Sequence, residues 1–321
     1  MHHPLDIAPV SLAATFALLF LIGYSSQRSG VCMMRAVSEV IDRRRVHRLA
    51  GFGLAAASAM LVMAAAETLG AQPFTLIPGA AADSNAIAGG VLFGIGTLLS
   101  GHCAMGTLAA LTAGDLPRIA AIAAMFAAAL LLGPEMSQAA LMLPPRGLVL
   151  SPLAGNLAAA LAIGGSLAVL AGTYIYRRLG WRQPRGGWSP LIAMSLVGAA
   201  SGLLFALDRQ WVYTSRIAGL AYGTIPAEPA AFAGPAILIL GMTVAALVGG
   251  TFEWKLGTAR EWLRGAGGGL LMGLGATLVP GGNDAMLFTG VPLLLPNLLT
   301  GYAAFTTTLF IALIWRQRRA A

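Results

Sequence analysis

The sequence predicts an all-α integral membrane protein, and three observations carry that prediction. The chain is 57% hydrophobic and only 10% charged, with a mean hydropathy of +0.78, whereas soluble domains carry about 25% charged residues. Uncharged runs long enough for a bilayer helix recur from one end to the other. The basic residues fall between these runs instead of within them. A hydrocarbon core takes about 20 apolar residues of helix, so 321 residues leave no room for a separate soluble domain.

Taken in order, the runs define about nine crossings, at 8–27, 49–69, 86–114, 118–134, 152–175, 189–207, 231–250, 266–296 and 298–315. With the first crossing starting outside, all but Arg146, Arg209 and Arg216 of the 20 basic residues face the cytoplasm. This is the positive-inside bias, and it predicts an external N-terminus and a cytoplasmic C-terminus. The first segment, "MHHPLD", lacks a basic n-region and a small-residue cleavage site, so the first span is expected to be retained. The net charge of +8 does not imply a nucleic-acid partner, because the charges sit at span ends and form no binding face.

The crossings contain an internal repeat. "GGVLFGIGTLLSGHCAMG" (89–106) matches "GGLLMGLGATLVPGGNDA" (268–285) without a gap, and "VCMMRAVSE" (31–39) lies against "VYTSRIAGL" (212–220), with Arg35 on Arg216. The repeats run over about 8–134 and 189–315, with a linking helix at 152–175. One odd linking helix turns the second copy upside down. Inverted repeats recur in transporters, with the binding site where the halves meet; the plainer alternative is a duplication that only builds a stable bundle. Arg35 and Arg216 are expected near opposite mouths, attracting anions, unless they serve as interfacial anchors that snorkel to headgroups.

Two runs are too long for a single crossing and are interrupted by glycine. Gly101, His102, Cys103 and Gly106 sit at the centre of the uncharged stretch Ser84–Gly114. Irregular backbone at membrane depth is tolerated inside protein or along a wet cavity, and exposed half-helix N-termini attract anions. Close helix packing through small residues is the competing use of such glycines. The chain has 2 cysteines, Cys32 and Cys103, and 4 histidines. With no CxxC and no ligand spacing among the histidines, neither a metal nor a cofactor is expected. Free cysteines are commonly buried small hydrophobes, which suits Cys32; the adjacent His102 and the glycine break favour a functional Cys103.

The motifs "SGVCMMRA", "GIGTLLSGHCAMG" and "GLGATLVPGG" resemble those of the YeeE/YedE family of sulfur-compound transporters, over nearly the whole chain. The resemblance implies an hourglass of long helices with short half-inserted ones. It also implies thiosulfate uptake across the bacterial inner membrane, with cysteines along the path contacting the ion. Cys32 and Cys103 match the first two family cysteines. The third falls on Gly282, in "PGGNDAML" (280–287), so either two thiols suffice, or the substrate differs, or Asn283 supplies the missing donor. Gly281, Gly282, Asn283 and Asp284 join Gly101, His102 and the two cysteines as candidate substrate contacts. Asp284 is an ionisable group within a span, a functional candidate by default; a helix N-cap is its alternative.

The thiol chemistry suits this reading, since a neutral thiol is a weak donor and conduction needs weak, repeated sites. Other sulfur or selenium species, or a membrane thiol-redox protein, remain rival functions. A redox enzyme would need a second thiol close by, and thiol pairs of that kind usually come as CxxC. No G-x-x-x-x-G-K-[ST] loop for nucleotide occurs, so the chain is not expected to hydrolyse ATP itself; it is expected to be a transporter and not an enzyme. The expected partners are the lipid bilayer, the sulfur anion and a cytoplasmic sulfur-carrier protein.

Overall fold

The structure, a computed structural model, describes residues 9–70, 78–142, 148–153, 155–178, 188–207, 229–279 and 281–320. These residues are almost entirely helical. In chain order the helices are α1 (Pro9–Ser29), α2 (Met33–Arg43), α3 (His47–Thr68), α4 (Ser84–Ser100), α5 (Ala104–Thr112) and α6 (Arg118–Met142). They continue as α7 (Leu157–Arg178), α8 (Pro190–Leu207), α9 (Pro229–Val248) and α10 (Ala259–Leu278). The short α11 (Gly282–Ala285) runs into a π-helical turn at Met286–Gly290, and α12 (Pro296–Ala320) closes the series. Among the described residues, four stretches are long and apolar enough to cross a membrane: His47–Thr68, Ser84–Thr112, Pro190–Leu207 and Pro296–Arg319. The protein is therefore a multi-pass membrane protein.

Helices stand over every run singled out in the sequence, and the two overlong runs are divided. Run 86–114 becomes α4 and α5; run 266–296 becomes α10, α11 and the π turn. Two features are additional. The segment 28–48, expected only as a charged connection, contains α2, an amphipathic helix that buries Met33, Met34, Ala36 and Val37 and exposes Arg35. The loops before α4 and α7 pair as a two-stranded antiparallel ladder, β1 (Pro78–Ala80) with β2 (Leu148–Leu150). β1 also packs against α12, and Ser151, just after β2, donates its hydroxyl to the carbonyl of Leu293, in the turn before α12, at 2.5 Å.

The helix ends follow ordinary capping chemistry. Asp83 caps α4 by accepting from the Ala86 N–H at 2.8 Å. Thr258 and Glu261 form a reciprocal capping box at the start of α10, and the Thr258 donors hold the exposed Glu261 carboxyl below its usual pKa. The cores of α4 and α10 cross at glycine. A Cβ on Gly96 would lie 2.6 Å from the Gly268 carbonyl oxygen, and one on Gly275 2.6 Å from that of Gly89. Rising numbers on one helix meet falling numbers on the other, so α4 and α10 are antiparallel.

Other neighbours run parallel. Gly198 and Gly202 of α8 stand beside Ala55 and Ala59 of α3; Gly234 and Gly249 of α9 and its end stand beside Leu19 and Arg28 of α1. In the same way α10 lies along α6, with Gly265 at Pro117 and Gly273 at Met125, and α12 lies along α4, with Gly301 at Gly90 and Thr308 at Gly94. Phe93 and Phe305 lock this last pair edge to face at 5.3 Å, both fully buried.

Candidate substrate site

The site begins with two chain reversals. After α1 the backbone turns at Gly30 and enters α2 with Cys32 as its N-cap. After α4 it turns at Gly101, whose φ of 81° is left-handed and costs glycine nothing, and enters α5 with Cys103 as its N-cap. Neither cysteine side chain makes a capping bond. Each thiol therefore sits at the positive end of a helix dipole.

The two reversals meet. The Cys103 thiol donates to the Cys32 sulfur at 3.7 Å, and both residues are buried, at 1% and 3% exposure. Gly106, one turn into α5, makes this possible. A Cβ there would stand 2.6 Å from the Cys32 sulfur and 3.5 Å from that of Cys103, so only a glycine lets α2 come this close.

Above the thiols opens a cavity of about 330 Å³. Cys32, His102 and Gly106 line it together with Gln27 and Thr251, and Arg35, Asp115 and Lys255 are charged groups of its lining. Arg35 is exposed and makes no ion pair among the described residues. The loop carrying Asp115 is tied to the one carrying Lys255 by three backbone hydrogen bonds. Glu253 N–H donates to Ala113, Lys255 N–H to Gly114, and Leu116 N–H to Lys255, at 2.9, 2.9 and 3.0 Å.

Arg118 secures the break itself. Its guanidinium donates to the Ser100 carbonyl at 2.6 Å and to the Asp115 carboxylate at 2.9 Å. The Ser100 carbonyl belongs to the last residue of α4, and a cation there complements the negative helix end. Ser100 in turn donates its hydroxyl to the His102 carbonyl at 2.7 Å and accepts from the His102 N–H at 3.3 Å. This chain of bonds fixes the Gly101–His102–Cys103 reversal. The sequence reading counted Arg118 only as a cytoplasmic charge; the Asp115–Arg118 spacing of i, i+3 in an apolar setting was the available signal.

The second break is built differently. Gly281 and Gly282 both have positive φ, 100° and 66°, and α11 begins at once. α11 packs against α5 and α10, while Asn283 and Asp284 are each 2% exposed. The amide oxygen of Asn283 has no hydrogen-bond partner among the described residues. Gly281 is the N-cap and Asp284 lies inside the short helix, so the capping role considered for Asp284 is not what the fold uses. These four residues are not among those lining the cavity. Arg216 lies outside the described residues.

Of the candidates named from sequence, then, Cys32, His102 and Arg35 line one cavity, and Cys103, next to the Gly101 turn, touches Cys32. The helices and the cavity define a multi-pass membrane protein with a buried thiol pair, one member of which lines the cavity. A family model for sulphur transport matches residues 28–311, and the chain belongs to that family, the YeeE/YedE sulfur transporters. The matched stretch contains both thiols, both breaks and every cavity-lining residue but Gln27. No curated protein matches the chain.

Proposed function

We propose that the chain carries thiosulfate, or a closely related sulfur anion, inward across the bacterial inner membrane through a path lined by thiols and helix ends. The observation that carries this reading is the 3.7 Å meeting of Cys103 with Cys32, which lines a cavity together with Arg35 and Lys255. The two cations draw a dianion in by long-range attraction. Farther in, the thiols offer weak S–H donors to the soft terminal sulfur, and the N-termini of α2 and α5 offer partial positive charge. Weak successive sites let the ion leave as well as enter. Asn283, with its buried free amide oxygen and its donor NH₂ group, stands in at the second break for the thiol that Gly282 lacks, and Gly281 and Gly282 give the backbone room to approach the ion. Asp284 tunes the charge of that break.

The path runs between two inverted repeats with about nine crossings, the N-terminus periplasmic and the C-terminus cytoplasmic. Helix packing supports this. In the duplicated register α4 corresponds to α10, α6 to α12, α1 to α8 and α3 to α9. The pairs α10 with α6 and α4 with α12 exchange under that correspondence, as do α3 with α8 and α1 with α9. Equivalent helices α4 and α10 are antiparallel, as an inverted pair must be. All five relative directions agree with the crossing order read from the basic residues. On this topology the cavity opens to the cytoplasm, where a sulfur-carrier protein would collect the ion, and Arg216 serves the opposite mouth as Arg35 serves this one.

The test is growth of a sulfur-auxotrophic host on single sulfur sources, with and without the chain. Growth restored on thiosulfate at limiting concentration is expected. Restoration on none of the sulfur sources would reject the reading, and restoration only on sulfate or an organic sulfonate would reject its substrate.

A further inference from the structure

Beyond offering weak donors to an anion, two thiols in direct contact can react with each other. Cys32 and Cys103 lie 71 residues apart in sequence, on different helices, yet their sulfurs are 3.7 Å apart. A disulfide needs about 2.0 Å, so a relative shift of about 1.7 Å joins them. The environment leaves that shift open. Neither sulfur is held by a cap, and the neighbouring α5 position is Gly106, which puts no side chain between or behind them. Thiolates are the nucleophiles and helix N-termini favour them; Cys32, which receives the Cys103 S–H and is the N-cap residue of α2, is the thiol placed to react first. Finally, the two differ in access: Cys32 lines the cavity, whereas Cys103 does not and is 1% exposed.

We propose that Cys32 and Cys103 are a redox modification site, closing into a reversible intramolecular disulfide that seals the inner part of the cavity. The sealing of transport rests on the function proposed above; the disulfide does not. The oxidant is a small hydroperoxide, which the cavity admits. The Cys32 thiolate attacks one peroxide oxygen, the O–O bond breaks, and hydroxide leaves, taking up a proton to become water. Cys32 is now a sulfenic acid. The Cys103 thiolate attacks its sulfur, the S–O bond breaks, and a second hydroxide leaves as water with the second thiol proton. The two cysteines have lost two electrons together and the peroxide has gained them. Closure removes both S–H donors and draws the N-termini of α2 and α5 together. A thiol reductant restores the path by exchange. Disulfides in a reducing compartment are typically transient and redox-sensing, which fits a cavity opening on the cytoplasmic side.

The experiment treats the purified full chain in detergent and in proteoliposomes with stoichiometric hydrogen peroxide, then reads intact mass, alkylation and thiosulfate uptake. The expected result is a mass lower by two hydrogens, loss of both alkylatable thiols, a Cys32–Cys103 peptide on digestion, and uptake abolished until dithiothreitol is added. Cys103→Ser should instead accumulate a sulfenic acid at Cys32 that dimedone traps, while Cys32→Ser should leave Cys103 largely unmodified. Oxygen addition in the wild type without loss of two hydrogens would overturn the modification. A disulfide that leaves uptake unchanged would overturn the closure. Absence of thiosulfate uptake by the reduced protein would reject the transport reading, while the mass and dimedone results would still decide the disulfide.

Discussion

Replacing Gly106 with alanine tests the thiol site through a single methyl group. The new Cβ would stand 2.6 Å from the Cys32 sulfur and 3.0 Å from its Cβ, against a comfortable carbon contact of about 3.5–4.0 Å. Overpacking of this kind costs about 1–3 kcal/mol. Alanine returns up to about 1 kcal/mol of that through its helix propensity, because Gly106 lies within α5. The net loss of stability is therefore about 3 kcal/mol at most, too small to empty the folded state of a typical protein. The effect on the site is larger than the effect on the fold. The Cys32 sulfur cannot stay where it is, and moving it separates the thiols and fills part of the cavity floor. Gly70→Ala is the matching control. Gly70 has a φ of 90° with no atom within 4 Å, so alanine there costs about 1–2 kcal/mol of backbone strain far from any thiol. Radiolabelled thiosulfate uptake in proteoliposomes, alongside melting in detergent, separates the two. Gly106→Ala should lose uptake while melting near Gly70→Ala, and Gly70→Ala should transport normally. A folded Gly106→Ala protein that transports at the wild-type rate would refute the reasoning.

Other positions test the remaining links. Gly96→Ala would drive a Cβ to 2.6 Å from the Gly268 carbonyl oxygen, backbone that cannot step aside, so folded protein recovered on size-exclusion chromatography should collapse. By contrast, Gly172→Ala meets nothing within 4 Å and should gain about 0.5–1 kcal/mol from helix propensity. Arg118→Met removes the donors to Ser100 and Asp115; with hydrogen bonds to charged groups worth about 1.5–3 kcal/mol, the melting point should fall clearly and Cys103 should become alkylatable as the break loosens. Arg35→Gln should raise KM for the anion with kcat and protein level unchanged. High salt should erase the difference from wild type, as screening does for steering by an exposed charge.

The architecture was legible because burial in lipid leaves a coarse signature: long uncharged runs, charges confined to their ends, and glycine where a run is overlong. The break could be placed near Gly101 and Gly106 because these glycines flank the polar residues of an overlong uncharged run; the left-handed φ of Gly101 is what the fold makes of it. Cys103 and His102 were legible for the same reason. What the sequence withheld is proximity. Nothing in a 71-residue separation indicates that the Cys32 and Cys103 sulfurs touch, because that depends on α2 folding back against α5, and α2 was read as a loop on account of its charges. The rarity of CxxC-free thiol pairs argued against a neighbouring thiol, and tertiary packing overrode it. Arg118 was hidden likewise: a cytoplasmic arginine after an acidic residue is ordinary until its guanidinium is seen bonded to the last carbonyl of α4. Asp284 was weighed as a cap because aspartate favours caps, yet two successive left-handed glycines start α11 one turn earlier and carry Asp284 inside.

The central claim is that the Cys32–Cys103 thiol pair serves the transported ion, with Cys32 on the cavity and Cys103 bonded to its sulfur. Its most direct test is the initial rate of thiosulfate uptake into proteoliposomes by Cys103→Ala beside the wild type, at equal amounts of folded protein. The cysteine is 1% exposed and borders a break in the helix, so its loss removes one sulfur atom and little packing, and the variant should fold. The account predicts that uptake by Cys103→Ala falls to the background of empty liposomes, with Cys103→Ser no better than partial. Uptake by Cys103→Ala at the wild-type rate would contradict it, leaving Cys103 a buried small residue and selectivity to the backbone alone.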